Sequence, residues 1–370
     1  MKTKDLLLTV IILLTALICL SPKVYAEDTY DFGGSEIYNA LPDDVSENLD
    51  DLNVSVENGG VNLTSENIFE KIWDMVCKNI SSPLKILVYV IVVIILCTVT
   101  ESLGENGNRI SEAFNTVGIL ACSGIICTGF GSVISLSKTA AQGLYSFLSV
   151  YIPAFGGIMA ANGQTAAASA YCGIIAAAVE LFSQTFTLIV IPLTSCIMGM
   201  SVAGAVNPDL KINSLADMAK KAVNWILAFV MTVFAGLLSV QSFVGAAADS
   251  VSMRAVKFTV SGAVPIVGGA VSDALLAVKG SIGVIKASTG SFGIIASAAV
   301  ILPALISLWL YRLILMLLSA VSDCFGTSRL TPLLKSAESV VAILIAVIVC
   351  FWTVAVASTA LMLVIGGEGV

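Results

Sequence analysis

The sequence predicts an all-α, polytopic transmembrane helix bundle of seven to nine spans, and three observations predict it. Of 370 residues, 57% are hydrophobic and only 12% charged, whereas a soluble domain carries about a quarter charged. The apolar residues gather into runs of about 20, the length that crosses a bilayer. Lys and Arg fall mainly in the breaks between those runs, where membrane topology places them.

The elements follow in chain order. Lys2 and Lys4 precede an apolar core from Leu6 to Leu20, and Val24-Tyr25-Ala26 supplies the small or branched residues of a cleavage site before Glu27. Residues 1–26 therefore read as a signal peptide. Twelve of the 25 acidic residues lie between Glu27 and Glu70, a stretch without Lys or Arg. Such a segment can bury little apolar surface, so 27–80 reads as an extracytoplasmic leader. Its last part, Ser65 to Ile80, spaces Ile68, Ile72, Trp73, Met75 and Val76 as an amphipathic surface helix. Ser81-Ser82-Pro83 is then expected to break the chain ahead of a membrane domain over 81–370.

Within that domain the apolar runs are 84–100, 114–136, 140–161, 167–186, 187–206, 222–247, 258–278, 291–310 and 338–364. The pair 167–206 reads as two helices or as one long broken one. Trp309, Tyr311 and Arg312 look like an interfacial belt. With the leader outside, Arg109 and the group Lys211, Lys220 and Lys221 fall on the cytoplasmic side. The later basic loops leave the topology open.

The chain also resembles itself. Ile152-Pro153-Ala154-Phe155-Gly156-Gly157 matches Val264-Pro265-Ile266-Val267-Gly268-Gly269. Gly173-Ile174-Ile175-Ala176-Ala177-Ala178 matches Gly293-Ile294-Ile295-Ala296-Ser297-Ala298, and each copy then reaches an apolar proline, Pro192 or Pro303. The repeat-like units cover about 140–206 and 252–310. Counting 167–206 as two helices makes them parallel; counting it as one makes them inverted. Either arrangement occurs in transporters.

These repeats mark the first candidate residues. Proline removes a backbone donor, and carbonyls freed at membrane depth need protein or a water-filled cavity. Pro153, Gly156, Gly157, Pro265, Gly268 and Gly269 are thus pathway residues of broken helices, or small residues for close helix packing. Glu180 is the second candidate, because Ser183, Gln184 and Thr187 share its helical face. Such a stripe faces protein or water rather than lipid. Asp273, four residues after Gly269, is the third, with a loop position paired to Lys279 as its plain alternative.

Several classes are excluded or unsupported. No basic patch exists for nucleic acid. Histidine is absent, which removes the commonest general base and metal ligand. The nine cysteines form no CxxC pair, so neither a zinc site nor a disulfide framework is indicated. No phosphate loop, nucleophile elbow or zinc-protease motif occurs. No cofactor, metal or catalytic residue is expected.

The stretch Ala255-Val256-Lys257-Phe258-Thr259-Val260-Ser261-Gly262-Ala263-Val264-Pro265-Ile266-Val267-Gly268-Gly269-Ala270-Val271-Ser272-Asp273-Ala274 resembles the signature region of the stage III sporulation protein AE family of endospore-forming bacteria. Tyr151 to Gly157, the signal peptide and the acidic leader fit the same family. The resemblance implies a multi-pass protein of the mother-cell membrane around the forespore. It further implies a place in the channel complex between the two cells, beside a cytosolic ATPase and ring-forming membrane proteins; a part in the conduit itself is the reading that the broken-helix motifs add. A stand-alone secondary transporter and a non-conducting scaffold are the alternatives that the residues leave open.

Overall fold

A computed structural model describes residues 73, 75–77, 79–103, 109–207, 212–263, 268–327 and 329–365, with side chains described outside 100–115, 213, 241–282, 284 and 364–365. The signal peptide and almost all of the acidic leader lie outside the described residues. These residues form seven α-helices and no strand: α1 Ser81–Leu103, α2 Arg109–Ala161, α3 Thr165–Thr185, α4 Ile191–Val206, α5 Asn213–Ala263, α6 Gly268–Cys324 and α7 Leu330–Ile365. Six stretches are long and apolar enough to cross a membrane, with α3 and α4 counting as one.

The nine apolar runs condense because several expected breaks are helical. Ser81-Ser82-Pro83 forms the first turn of α1, where a proline's missing N–H is an orphan in any case. Runs 114–136 and 140–161 join through Ser137, Lys138 and Thr139 into α2. None of the three is a helix breaker, and the Ser137 hydroxyl donates to the Val133 carbonyl at 2.8 Å. Runs 167–186 and 187–206 are one rod. They meet at a π-turn, Phe186–Val190, in which the Ile191 N–H reaches back five residues to Phe186 O. The widened turn accommodates Pro192, which has no N–H to give the preceding carbonyls.

True reversals occur where glycine closes them. Gly163 (φ 80°) ends α2 and Gly326 (φ 72°) ends α6. At the first, Gly163 N–H bonds Ala160 O and Gln164 N–H bonds Met159 O, both at 3.0 Å; at the second, Gly326 bonds Asp323 O and Thr327 bonds Ser322 O, both at 3.2 Å. This is the paired bonding of a Schellman cap, whose left-handed residue glycine adopts without strain.

The contacts fix which ends lie together. Cys97 of α1 abuts Gly118 of α2, and Ile86 abuts Gly129. Ser201 of α4 hydrogen-bonds Ser336 of α7. The connections α1–α2, α4–α5 and α6–α7 therefore share one end, which Arg329 and Lys335 join to Lys220 and Lys221. At the other end Lys286 donates to Gln164 at 2.8 Å and Tyr151 Oη donates to Thr289 O at 3.4 Å. Both α3 and α6 start from this end and run the same way. The repeat-like units are thus parallel although 165–206 is one rod, because residues 213–263 are also a single helix. Their proline motifs also differ in place: Pro153 lies inside α2 without breaking it, whereas Gly268 and Gly269 open α6. Pro265 lies outside the described residues.

The centre is α7, the most buried of the membrane-length helices. Phe351 stacks on Phe182 of α3, and Trp352 donates its indole N–H to Ser297 of α6 at 3.1 Å. Phe147, Tyr151 and Phe155 stack in sequence along α2, and Phe155 meets Tyr171 of α3 edge to face. Between helices in lipid such packing, rather than water exclusion, holds the bundle. Arg312 does not stand outward as a belt residue would. It is buried, 3.0 Å from Glu338 of α7 and with its guanidinium 5.3 Å from the centre of the Trp309 ring. Pairing inside the bundle satisfies the charge that an exposed position would leave to water.

Candidate functional face

The exposed surfaces of the helices are of two kinds. Large apolar side chains stand outward on α1 (Leu84, Val88, Val92, Leu96), on α5 (Met218, Trp225, Phe229, Val233) and on α6 (Leu313, Met316, Leu317). From Ala121 to Glu180, sixty residues through α2 and most of α3, no large hydrophobic side chain is exposed. On α2 the exposed positions include instead Gly124, Thr128, Gly131, Ser135, Lys138, Gln142, Ser146, Ser149, Pro153 and Gly157, with the small Ala121, Cys127, Ser132, Thr139 and Ala161 exposed beside them. Alternate steps of three and four residues keep most of them on one helical face. On α3 the exposed set is Thr165, Ser169, Gly173, Ala176, Ala177, Glu180, Leu181 and Gln184, and the π-turn beyond it exposes Thr187 together with Leu188 and Ile189.

The antiparallel packing of α2 and α3 joins the two stripes. Tyr145 Oη donates to Glu180 Oε2 at 3.0 Å and Gln184 Nε2 donates to Glu180 Oε1 at 2.8 Å. Glu180 thus keeps its carboxylate on two neutral donors, with no cation beside it among the described residues. Lys138, two turns along α2 from Tyr145, makes no ion pair with a described residue. Both charged groups stand on the exposed face, and a lipid-facing helix does not carry such groups.

The expected residues divide between two roles. Gly156 is a packing glycine: a Cβ there would collide with Cys172 of α3. Cys172 also donates to the Ile152 carbonyl at 3.6 Å. Pro153, Gly157, Glu180 and Gln184 lie on the polar face. Gly268 and Gly269 are backbone positions of the first turn of α6, far along the chain from this face. Asp273 follows in the same helix, and its side-chain surroundings lie outside the described residues. Sequence reasoning missed Tyr145, Lys138 and Gln142. The three-four spacing of Gly, Ser, Thr, Lys and Gln from Gly124 to Ser149 was the signal that reveals them.

A family described as Stage III sporulation protein AE matches residues 48–366. The chain belongs to the stage III sporulation protein AE family. The Stage III sporulation protein AE of Bacillus subtilis (strain 168) is 23% identical over 212 residues, which cover 57% of this chain and 53% of that relative. The chain therefore aligns with about half the length of that relative. No solved structure matches. Membership of this family brings a sporulation role to the bundle and, with it, a setting for the polar face.

Proposed function

We propose that this chain is a non-enzymatic, multi-pass component of the channel complex joining the mother cell to the engulfed forespore, and that the α2–α3 face is the wall of its aqueous path. One observation carries the path: sixty consecutive residues of apolar helix expose glycine, serine, threonine, glutamine and single charges, and no large hydrophobic side chain. Apolar helices exposed to lipid carry the opposite pattern, as α1 does here.

Length supports the same reading. The apolar stretch of α1, Ser81–Val99, has 19 residues and that of α2, Thr116–Ala161, has 46. At 1.5 Å per residue these are about 28 and 69 Å, against a hydrocarbon core of about 30 Å. The α2–α3 hairpin is therefore long enough for its polar face to cross the hydrocarbon core and continue past it on the leader's side, into the space between the two cells. The basic end then faces the mother-cell cytoplasm, where an ATPase has access, and the hairpin end faces the ring-forming membrane proteins.

The test is a sporulating strain whose own copy is replaced by Gln142→Trp with Gln184→Trp. Both side chains are exposed, so tryptophan there displaces water and leaves the core intact. Spore formation is expected to fail at unchanged protein level, while Val92→Trp on α1 is tolerated. Normal sporulation by the Gln142→Trp, Gln184→Trp strain sinks the path.

A further inference from the structure

Among the described residues, a single copy of this bundle shows no path inside. Its interior is filled by Tyr151, Phe155, Phe182 and Phe351, each at most 2% exposed, and the polar face lies on its outside. A surface two helices wide cannot enclose water alone; other walls must close around it. We infer that those walls are further copies of this chain, arranged head to tail so that α2 of one copy meets α3 of the next. This rests on the reading of the face as an aqueous wall.

Two independent features of the face fit an identical neighbour. The first is charge. Lys138 on α2 and Glu180 on α3 have no ion-pair partner of their own among the described residues, and they stand on different helices of one face. In a ring that alternates α2 and α3, Lys138 of each copy comes to the side of the next copy that carries Glu180. The axial offset of about 10 Å, two helical turns, is closed by the extended lysine stem together with a tilt of α2 of one copy against α3 of the next. Each copy contributes one cation to one neighbour and one anion to the other, so the contact is heterologous and repeats around a closed ring.

The second feature is space. A Cβ built on Gly124, Gly131, Gly157 or Gly173 meets nothing within 4 Å. These four glycines stand exposed on the face, unlike Gly118, Gly129 and Gly156, which side chains of neighbouring helices abut. Among the described residues nothing stands where a side chain at these positions would go. In membranes, small residues at outward positions let a second backbone approach closely. Copies that touch at the glycines and bridge through Lys138 and Glu180 leave room for water at Gln142 and Ser146 between them.

The experiment measures the mass of the full chain in lipid nanodiscs by native mass spectrometry. The wild type is expected as a closed multimer. Lys138→Glu and Glu180→Lys are each expected to lower the multimer-to-monomer ratio at least tenfold, and the double swap to restore it to within about twofold of wild type. Gly131→Leu is expected to dissociate the multimer with its helix content unchanged, since the site is open within the chain. Gly236→Leu, equally open but on the α5 surface with Phe229 and Val233, is the control and leaves the mass unchanged. A monomeric wild type, or a multimer indifferent to both Gly131→Leu and the single charge changes, overturns the inference. If the chain is monomeric while Gln142→Trp with Gln184→Trp still blocks sporulation, the path stands and its other walls belong to partner proteins.

Discussion

Arg312 and Glu338 offer the sharpest test of how the bundle holds charge inside. Their side chains are 10% and 23% exposed and meet at 3.0 Å between α6 and α7. Glu338→Leu leaves the guanidinium buried with only the Trp309 ring beside it. Breaking a buried pair costs about 3–5 kcal/mol, and the Trp309 ring contact, present with or without Glu338, cancels from the difference. The partial exposure of Glu338 discounts this to about 2–3 kcal/mol. At about 2–4 °C per kcal/mol, thermal unfolding of the purified protein, followed by tryptophan fluorescence, should fall by roughly 4–12 °C. Glu338→Gln keeps an acceptor for Arg312 Nε and should lose less. Arg312→Met with Glu338→Leu removes both charges and should return to within about 1–2 kcal/mol of wild type. An unchanged Glu338→Leu variant, or a double variant less stable than the single one, refutes the reasoning.

Glycines of the two kinds should respond in opposite directions. Gly293→Ala drives a methyl into the Tyr151 ring and should destabilise by about 1–3 kcal/mol, whereas Gly131→Ala should be neutral or stabilising by up to about 1 kcal/mol, both read from thermal unfolding. Ser322 hydrogen-bonds Thr327 at 2.6 Å and Thr331 at 2.9 Å inside the α6–α7 turn. Ser322→Ala should therefore cost about 1–3 kcal/mol in the same assay, and a loss below 0.5 kcal/mol would mean that water serves those hydroxyls.

The helical class and most of the membrane-length helices were legible because apolar runs bounded by charge have few other readings. The fusion of runs was not. Ser137-Lys138-Thr139 looks like a loop by polarity, yet contains neither glycine nor proline, and once α2 packs on α1 and α3 the helix has no reason to stop. Pro153 misled in the same way: on an exposed helix face its missing N–H leaves only the Ser149 carbonyl without its usual donor, too little to break a 53-residue helix. The stripe through Glu180 and Gln184 could be read from spacing within one helix. Its partner Tyr145 could not, because that bond depends on the register of α2 against α3. Arg312 was misplaced for a similar reason, since Glu338 lies 26 residues away on a helix whose packing no local pattern records.

The central claim is that the α2–α3 face meets water and the α1 face meets lipid. Single cysteines at Ser135, Gln142, Ser149 and Gln184, in a cysteine-free variant in native membranes, put it to a direct measurement with a membrane-impermeant maleimide. These four should label at rates near those of a water-exposed loop, while cysteines at Val88, Val92 and Ile95 should label at least tenfold more slowly. Equal protection of both sets would contradict the account and leave α2–α3 an ordinary packing surface.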